Sequence, residues 1–183
     1  MTSNYVKHSF DYIYEPGEDS YTLSDILETE NIQNKIVLDL GCSTGIITKC
    51  LNNKNTVISL DINYKALDEV KNEGLNLING DLLECINQKN IDIIVFNPPY
   101  VVENDDFLDS EGIKDHVLGG GIDGRTIIDR FLQMVDVPII YLLVIQANKP
   151  KNIIKKMKNY KVEIKKVRKV PGETLIVLKC VKI

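Results

Sequence analysis

Asn97-Pro98-Pro99-Tyr100 is the segment of this sequence whose residue types most directly suggest chemistry. A planar nitrogen, in an amide or an exocyclic base amine, has a delocalised lone pair and is a poor nucleophile. Two fixed acceptors, the Asn97 side-chain oxygen and the Pro98 carbonyl, suit its two N–H groups and would turn the lone pair toward an electrophile. Consecutive prolines stiffen the turn, and Tyr100 offers an aromatic face to the planar group. No base is required beforehand, because the nitrogen becomes acidic once alkylated. The plain alternative is an ordinary proline turn. Its place directly after the apolar run 91–96 argues against that.

Three further polar residues close earlier apolar runs: Asp39, Asp61 and Asp81. Asp and Asn are common where strands meet turns. Four in succession, with a Gly-containing turn after the first, instead suggest one cleft beyond the carboxyl ends of parallel strands. In Asp39-Leu40-Gly41-Cys42-Ser43-Thr44-Gly45, Gly41 lets the backbone approach a ligand and Gly45 lets the next helix pack tightly. Asp61 is placed to accept from two ribose hydroxyls, and Asp81-Leu82 to accept from an adenine amino group and cover its ring. Dinucleotide binders use a similar loop and acid, so this half of the pattern does not discriminate by itself.

The elements that must position these residues follow from periodicity. Apolar runs at 36–40, 56–61, 75–79 (Leu75-Asn76-Leu77-Ile78-Asn79), 91–96 and 139–145 alternate with helical material at 46–51 and 64–72, which implies a parallel sheet covered on both faces. Residues 160–170 alternate, and Pro171-Gly172 turns the chain into 174–181, an antiparallel hairpin. The expected fold is α/β: a doubly wound, seven-stranded sheet in a single domain over 1–183, with 1–13 as an N-terminal arm. Residues 101–125 have no clear period and read as a functional loop.

The chain has 183 residues, 44% hydrophobic and 26% charged, and a net charge of −4. The start, Met1-Thr2-Ser3-Asn4-Tyr5, lacks a secretory pattern, and no apolar run is long enough to span a bilayer. A cytoplasmic protein, with the nucleus as a further compartment, is expected, without membrane contact. Cys42, Cys50, Cys85 and Cys180 form no C-x-x-C pair and read as small hydrophobes, with no metal site. Residues 149–169 hold ten Lys or Arg against Glu163 alone. A solvated helix face explains this tract better than a nucleic-acid surface, given the acidic balance elsewhere.

Asp39 to Gly45 resembles the acidic-x-Gly-x-Gly-x-Gly loop of class I (Rossmann-like) methyltransferases, with Ser43 in place of the middle glycine, and Asn97 to Tyr100 resembles the tetrapeptide of those acting on planar nitrogens. Tyr14-Glu15-Pro16-Gly17-Glu18-Asp19-Ser20, Gly119-Gly120-Gly121-Ile122-Asp123-Gly124-Arg125 and Glu173-Thr174-Leu175-Ile176-Val177-Leu178-Lys179 resemble segments of the eukaryotic and archaeal HemK-like protein-(glutamine N5) methyltransferases. The resemblance runs from about residue 12 to the C-terminus. It implies S-adenosyl-L-methionine as cofactor, contacted by Ser20, Asp39, Gly41, Gly45, Asp61, Asp81, Leu82 and Asn97. It implies catalysis by Asn97, Pro98 and Tyr100, and substrate contacts from Asn97, Pro98, Pro99 and Tyr100. The implied substrate is the glutamine of the Gly-Gly-Gln motif in the eukaryotic class I release factor. The implied partner is a small zinc-binding activator subunit forming a heterodimer at an edge strand, residues 75–79.

Three alternatives accompany this reading. An adenine N6-methyltransferase on DNA or RNA uses the same tetrapeptide, but the net acidity and the lack of a separate target-recognition segment count against it. Lysine methylation of histone is implied by human-type relatives. A non-catalytic cofactor-binding scaffold would not need two aligned acceptors.

Overall fold

The computed structural model describes residues 13–102, 120–121 and 123–183. The apolar runs become strands: β1 (Ile36–Leu40), β2 (Thr56–Asp61), β3 (Asn76–Asn79), β4 (Ile93–Phe96) and β5 (Ile139–Ile145), followed by β6 (Tyr160–Val170) and β7 (Glu173–Lys182). Between them lie α1 (Glu18–Thr29), α2 (Ile46–Leu51), α3 (Tyr64–Val70), α4 (Thr126–Met134) and α5 (Pro150–Lys156). Among the described residues, these strands form one sheet in the order β3-β2-β1-β4-β5-β7-β6. β1 to β5 run parallel, and β7 pairs antiparallel with both β5 and β6. This is the doubly wound sheet with a C-terminal hairpin expected from the alternating runs.

Period-two alternation sorts each strand onto two cores. Leu38, Leu40, Ile94, Phe96, Ile140, Leu142 and Leu178 meet Ile128 and Phe131 of α4 and Ile153 of α5. Val37, Val57, Ile93, Val95, Leu143 and Val177 meet Leu23, Ile26 and Leu27 of α1 and Ile47 and Leu51 of α2. Their 3- and 4-residue spacing makes one apolar stripe on α1, and Glu18 and Asp19 suit the positive end of its dipole. Phe131 lies tilted on Phe96, with ring centroids 4.9 Å apart, so α4 is fixed directly beneath the residue preceding Asn97.

The basic tract is divided: the strand expected at 160–170 is found, and the expected helix face is confined to the part before it. Only Pro150–Lys156 is helical, and Tyr160–Val170 is the outermost strand. Exposed Lys161, Lys166 and Lys169 stud that edge, an arrangement that discourages further strand pairing. Cys42 and Cys180 are buried as small hydrophobes, whereas Cys85 is exposed. The expected arm at 1–13, save Ile13, and the loop at 103–119 lie outside the described residues.

Glu30, just beyond α1, ties three strands together. It accepts from Tyr141 of β5 at 2.9 Å and pairs with Lys165 of β6 at 2.8 Å and with Lys179 of β7. Burial alone would raise its carboxyl, but these donors, Lys165 foremost, hold it down at about 2 against an ordinary 4.5. A carboxyl depressed on folding adds stability that is complete above the unfolded value and lost as pH falls through the folded one. Urea midpoints should therefore decline between about pH 4.5 and 2. Glu30→Gln should flatten that decline and lower neutral-pH stability by about 2 kcal/mol. An identical acid profile in the variant would contradict this role.

Candidate functional site

At the carboxyl ends of β1, β2 and β4 lies a cleft of about 370 Å³. Asp39, Asp61, Asp81 and Asn97 all line it, as do Ser20, Gly41, Leu82, Pro98, Pro99 and Tyr100. The strand-end residues thus converge as expected. Gly45 alone of the expected site residues stands outside the lining; it caps the start of α2 at φ 73°.

The carboxylates differ in what already holds them. Asp39 lies within β1 rather than at its end, is buried, and accepts from Thr48 Oγ1 at 2.6 Å. Burial pushes its carboxyl up to about 7 against the opposing Thr48 hydrogen bonds. Asp61 accepts from the backbone N–H of Asn63 at 2.8 Å and of Ser43 at 2.9 Å, while burial raises its carboxyl too. A carboxylate offers about four lone-pair sites, so two bonds fix it and leave capacity toward the cleft.

Ser43 sits at φ 44°, in the left-handed region that favours glycine. This explains why a glycine is the ordinary occupant there. The serine gains a compensating bond, its Oγ donating to the Tyr14 carbonyl at 2.7 Å.

Asn97 is held by a residue to which the sequence assigned no role. Asp19, in the first turn of α1, collects the Asn97 Nδ2 at 2.9 Å and the Tyr100 hydroxyl at 3.0 Å on one oxygen. Its other oxygen accepts the Tyr14 hydroxyl and the Ser20 N–H, each at 2.7 Å. Burial, together with the Asp19 carboxylate, pushes both phenols well above their ordinary range, so they stay protonated donors. With its nitrogen committed to an acceptor, the Asn97 amide has one orientation. Its Oδ1 is buried and accepts no hydrogen bond among the described residues. An orphan acceptor of this kind is costly unless something arrives to donate to it.

The back of the tetrapeptide is braced as well. Asn148, 0% exposed, donates Nδ2 to the carbonyls of Tyr100 at 2.9 Å and Gly124 at 3.0 Å and accepts from Ile145 N–H at 2.8 Å. Gly124 has φ 62°, and a Cβ there would stand 2.1 Å from the Tyr100 oxygen, so only glycine fits. Gly124, shortly before α4, therefore serves as a shelf for the tetrapeptide. Asn148 carried no motif. Arg130 of α4 reaches across the cleft to Asp81, Nη2 to Oδ2 at 2.9 Å. Asp19 lay inside a motif already singled out, whereas Arg130 and Asn148 give no local signal.

A sheet of this order, with a Gly-turn after β1, an acid ending β2 and an Asn-Pro-Pro-Tyr turn after β4, defines a class I (Rossmann-like) methyltransferase fold. The family model for the methyltransferase small domain matches residues 18–111. Human methyltransferase HEMK2 is 32% identical, covering 95% of this chain and 92% of its own. A Methanocaldococcus jannaschii protein, provisionally named protein N5-glutamine methyltransferase, is 35% identical over 91% of this chain and 90% of its own. The solved Mtq2–Trm112 complex of E. cuniculi, described as responsible for methylation of the eRF1 translation termination factor, contains a chain 48% identical. It superposes with a TM-score of 0.85 over 93% of this chain and 99% of that one. The chain belongs to the methyltransferase small-domain family, in its HemK-like branch of protein glutamine methyltransferases.

Proposed function

We propose that this chain transfers a methyl group from S-adenosyl-L-methionine to the side-chain amide nitrogen of the glutamine in the Gly-Gly-Gln motif of a class I release factor. The observation that carries the reading is the Asn97 amide in the cleft wall, fixed through its nitrogen by Asp19, with an Oδ1 that has no hydrogen-bond partner among the described residues.

The residues present fit the cofactor. Asp61 would take the ribose hydroxyls, Asp81 and Leu82 the adenine, and Ser20, Asp39 and Gly41 the remainder. Gly45, behind the loop, would act only by seating α2. The cofactor, when bound, supplies an electrophilic methyl group on a sulfonium. Asn97 Oδ1 and the Pro98 carbonyl hold the two amide N–H groups, Tyr100 supports the plane, and the nitrogen lone pair is left facing the methyl. The proton leaves only after alkylation has made it acidic. Lysine is the second reading. Asp19 and the nearby Glu173 suit an ammonium, but they also stabilise its protonated, non-nucleophilic form. An amide has no such proton to lose first.

A methyl-transfer assay on the release factor tests the reading. Label should enter the wild-type factor and vanish when the motif glutamine is changed to alanine. Label in an adenine oligonucleotide instead would favour the base-methylating alternative.

The proposed heterodimer partner is a small zinc-binding activator that adds a strand beside β3. Its support is that β3 ends the sheet, with Leu77 and Ile78 only half-buried, and that the E. cuniculi relative was solved as a complex. The chain expressed alone should be poorly soluble and be rescued by co-expression. A soluble, fully active monomer would contradict this.

A further inference from the structure

Arg130 stands where the adenine end of the cleft is expected. Its guanidinium pairs with Asp81 at 2.9 Å through Nη2, while the second contact, Nη1 to Oδ1, is long at 3.5 Å. One carboxylate oxygen is thus firmly held and the other only lightly engaged. The next residue, Leu82, is buried yet sits at φ 47°, a left-handed conformation that a branched side chain adopts only when its surroundings impose it. Such a turn needs a rigid support, and α4 is one. Ile128 and Phe131 are fully buried in the core while Ile127 and Arg130, three residues apart, line the cleft. An ion pair as exposed as this one adds little to folding. Its consequence lies in orientation.

We propose that Arg130 is a positioning residue that holds the Asp81 carboxylate so that one oxygen faces the exocyclic amino group of the cofactor's adenine, and thereby sets discrimination among purines. The inference rests on Asp81 as the adenine acceptor. A correctly aimed carboxylate accepts from the 6-amino group of adenine and repels the 6-oxo group of hypoxanthine. A carboxylate free to turn loses much of that contrast.

The test is calorimetric titration of the full chain, co-purified with its partner where solubility requires it, with S-adenosyl-L-homocysteine and S-inosyl-L-homocysteine. Wild type should favour the adenine form at least about tenfold, in line with one charge-assisted hydrogen bond. Arg130→Gln should cut that ratio at least about fivefold, with inosyl affinity nearly unchanged. Arg130→Lys keeps the charge but loses the planar fork, and should cut it at least about threefold; it serves if the glutamine variant does not fold. An unchanged ratio, including equal weakening of both ligands, overturns the proposal. Asp81→Asn separates the two layers. If it too leaves the ratio unchanged, the adenine reading fails and takes the proposal with it. If it alone abolishes the preference, only the role of Arg130 is overturned.

Discussion

Asn97→Ala is expected to lower turnover by about 10²–10³ while cofactor affinity changes only several-fold. The variant loses the Oδ1 that accepts no hydrogen bond from the described residues and would take one from the substrate amide. Removing one preorganised acceptor or donor from a water-excluded site is worth roughly 3–4 kcal/mol of barrier. Folding should survive, because the other groups around Asp19 remain paired with it. Asn97→Asp preserves the shape but sets a second carboxyl 2.9 Å from the Asp19 oxygen, where two negative charges are disfavoured. Its turnover should fall as well. Single-turnover kinetics beside calorimetry separate chemistry from binding, and turnover of Asn97→Ala within about threefold of wild type would remove Asn97 from the mechanism.

Asp19→Asn should come close to the same loss, about a hundredfold, without removing any group that meets the substrate. Both Asp19 oxygens accept from two donors each, so an amide in its place turns one end into a donor facing two donors. With its nitrogen so opposed, the Asn97 amide relaxes by turning its oxygen toward residue 19 and away from the cleft. Because Asp19 acts through Asn97, the double variant Asp19→Asn/Asn97→Ala should be little worse than Asn97→Ala alone. Losses that multiply across the two positions would show that they act independently. A fall in stability of about 1–3 kcal/mol accompanies Asp19→Asn, since buried donors lose an acceptor.

Which of these features are legible in the sequence follows from how local their causes are. Ile36–Leu40 and Thr56–Asp61 are readable to the residue because apolar runs end at turn-forming residues, and Tyr160–Val170 because apolar residues alternate with charged ones up to the Pro171-Gly172 turn. The convergence of Asp39, Asp61, Asp81 and Asn97 is readable because parallel strands present their carboxyl ends on one side. The tract at 149–169 misleads: lysine suits a solvated helix and a protected sheet edge equally, and only the alternation after Tyr160 separates them. The Asp19–Asn97 bond spans 78 positions and the Arg130–Asp81 pair 49, so no spacing rule reaches them. Ser43 at the middle position of the Gly-turn is a departure whose compensating bond, to the Tyr14 carbonyl, exists only in the folded chain.

Localising the transferred methyl is the most direct test of the amide reading. The chain and its partner would be incubated with S-adenosyl-L-methionine and an equimolar mixture of class I release factor, histone and an adenine-containing oligonucleotide, and the products fragmented by tandem mass spectrometry. The expected result is one methyl on the side-chain nitrogen of the Gly-Gly-Gln glutamine, absent with Asn97→Ala. A methyl found only on lysine or on adenine, with the glutamine unmodified, would contradict it.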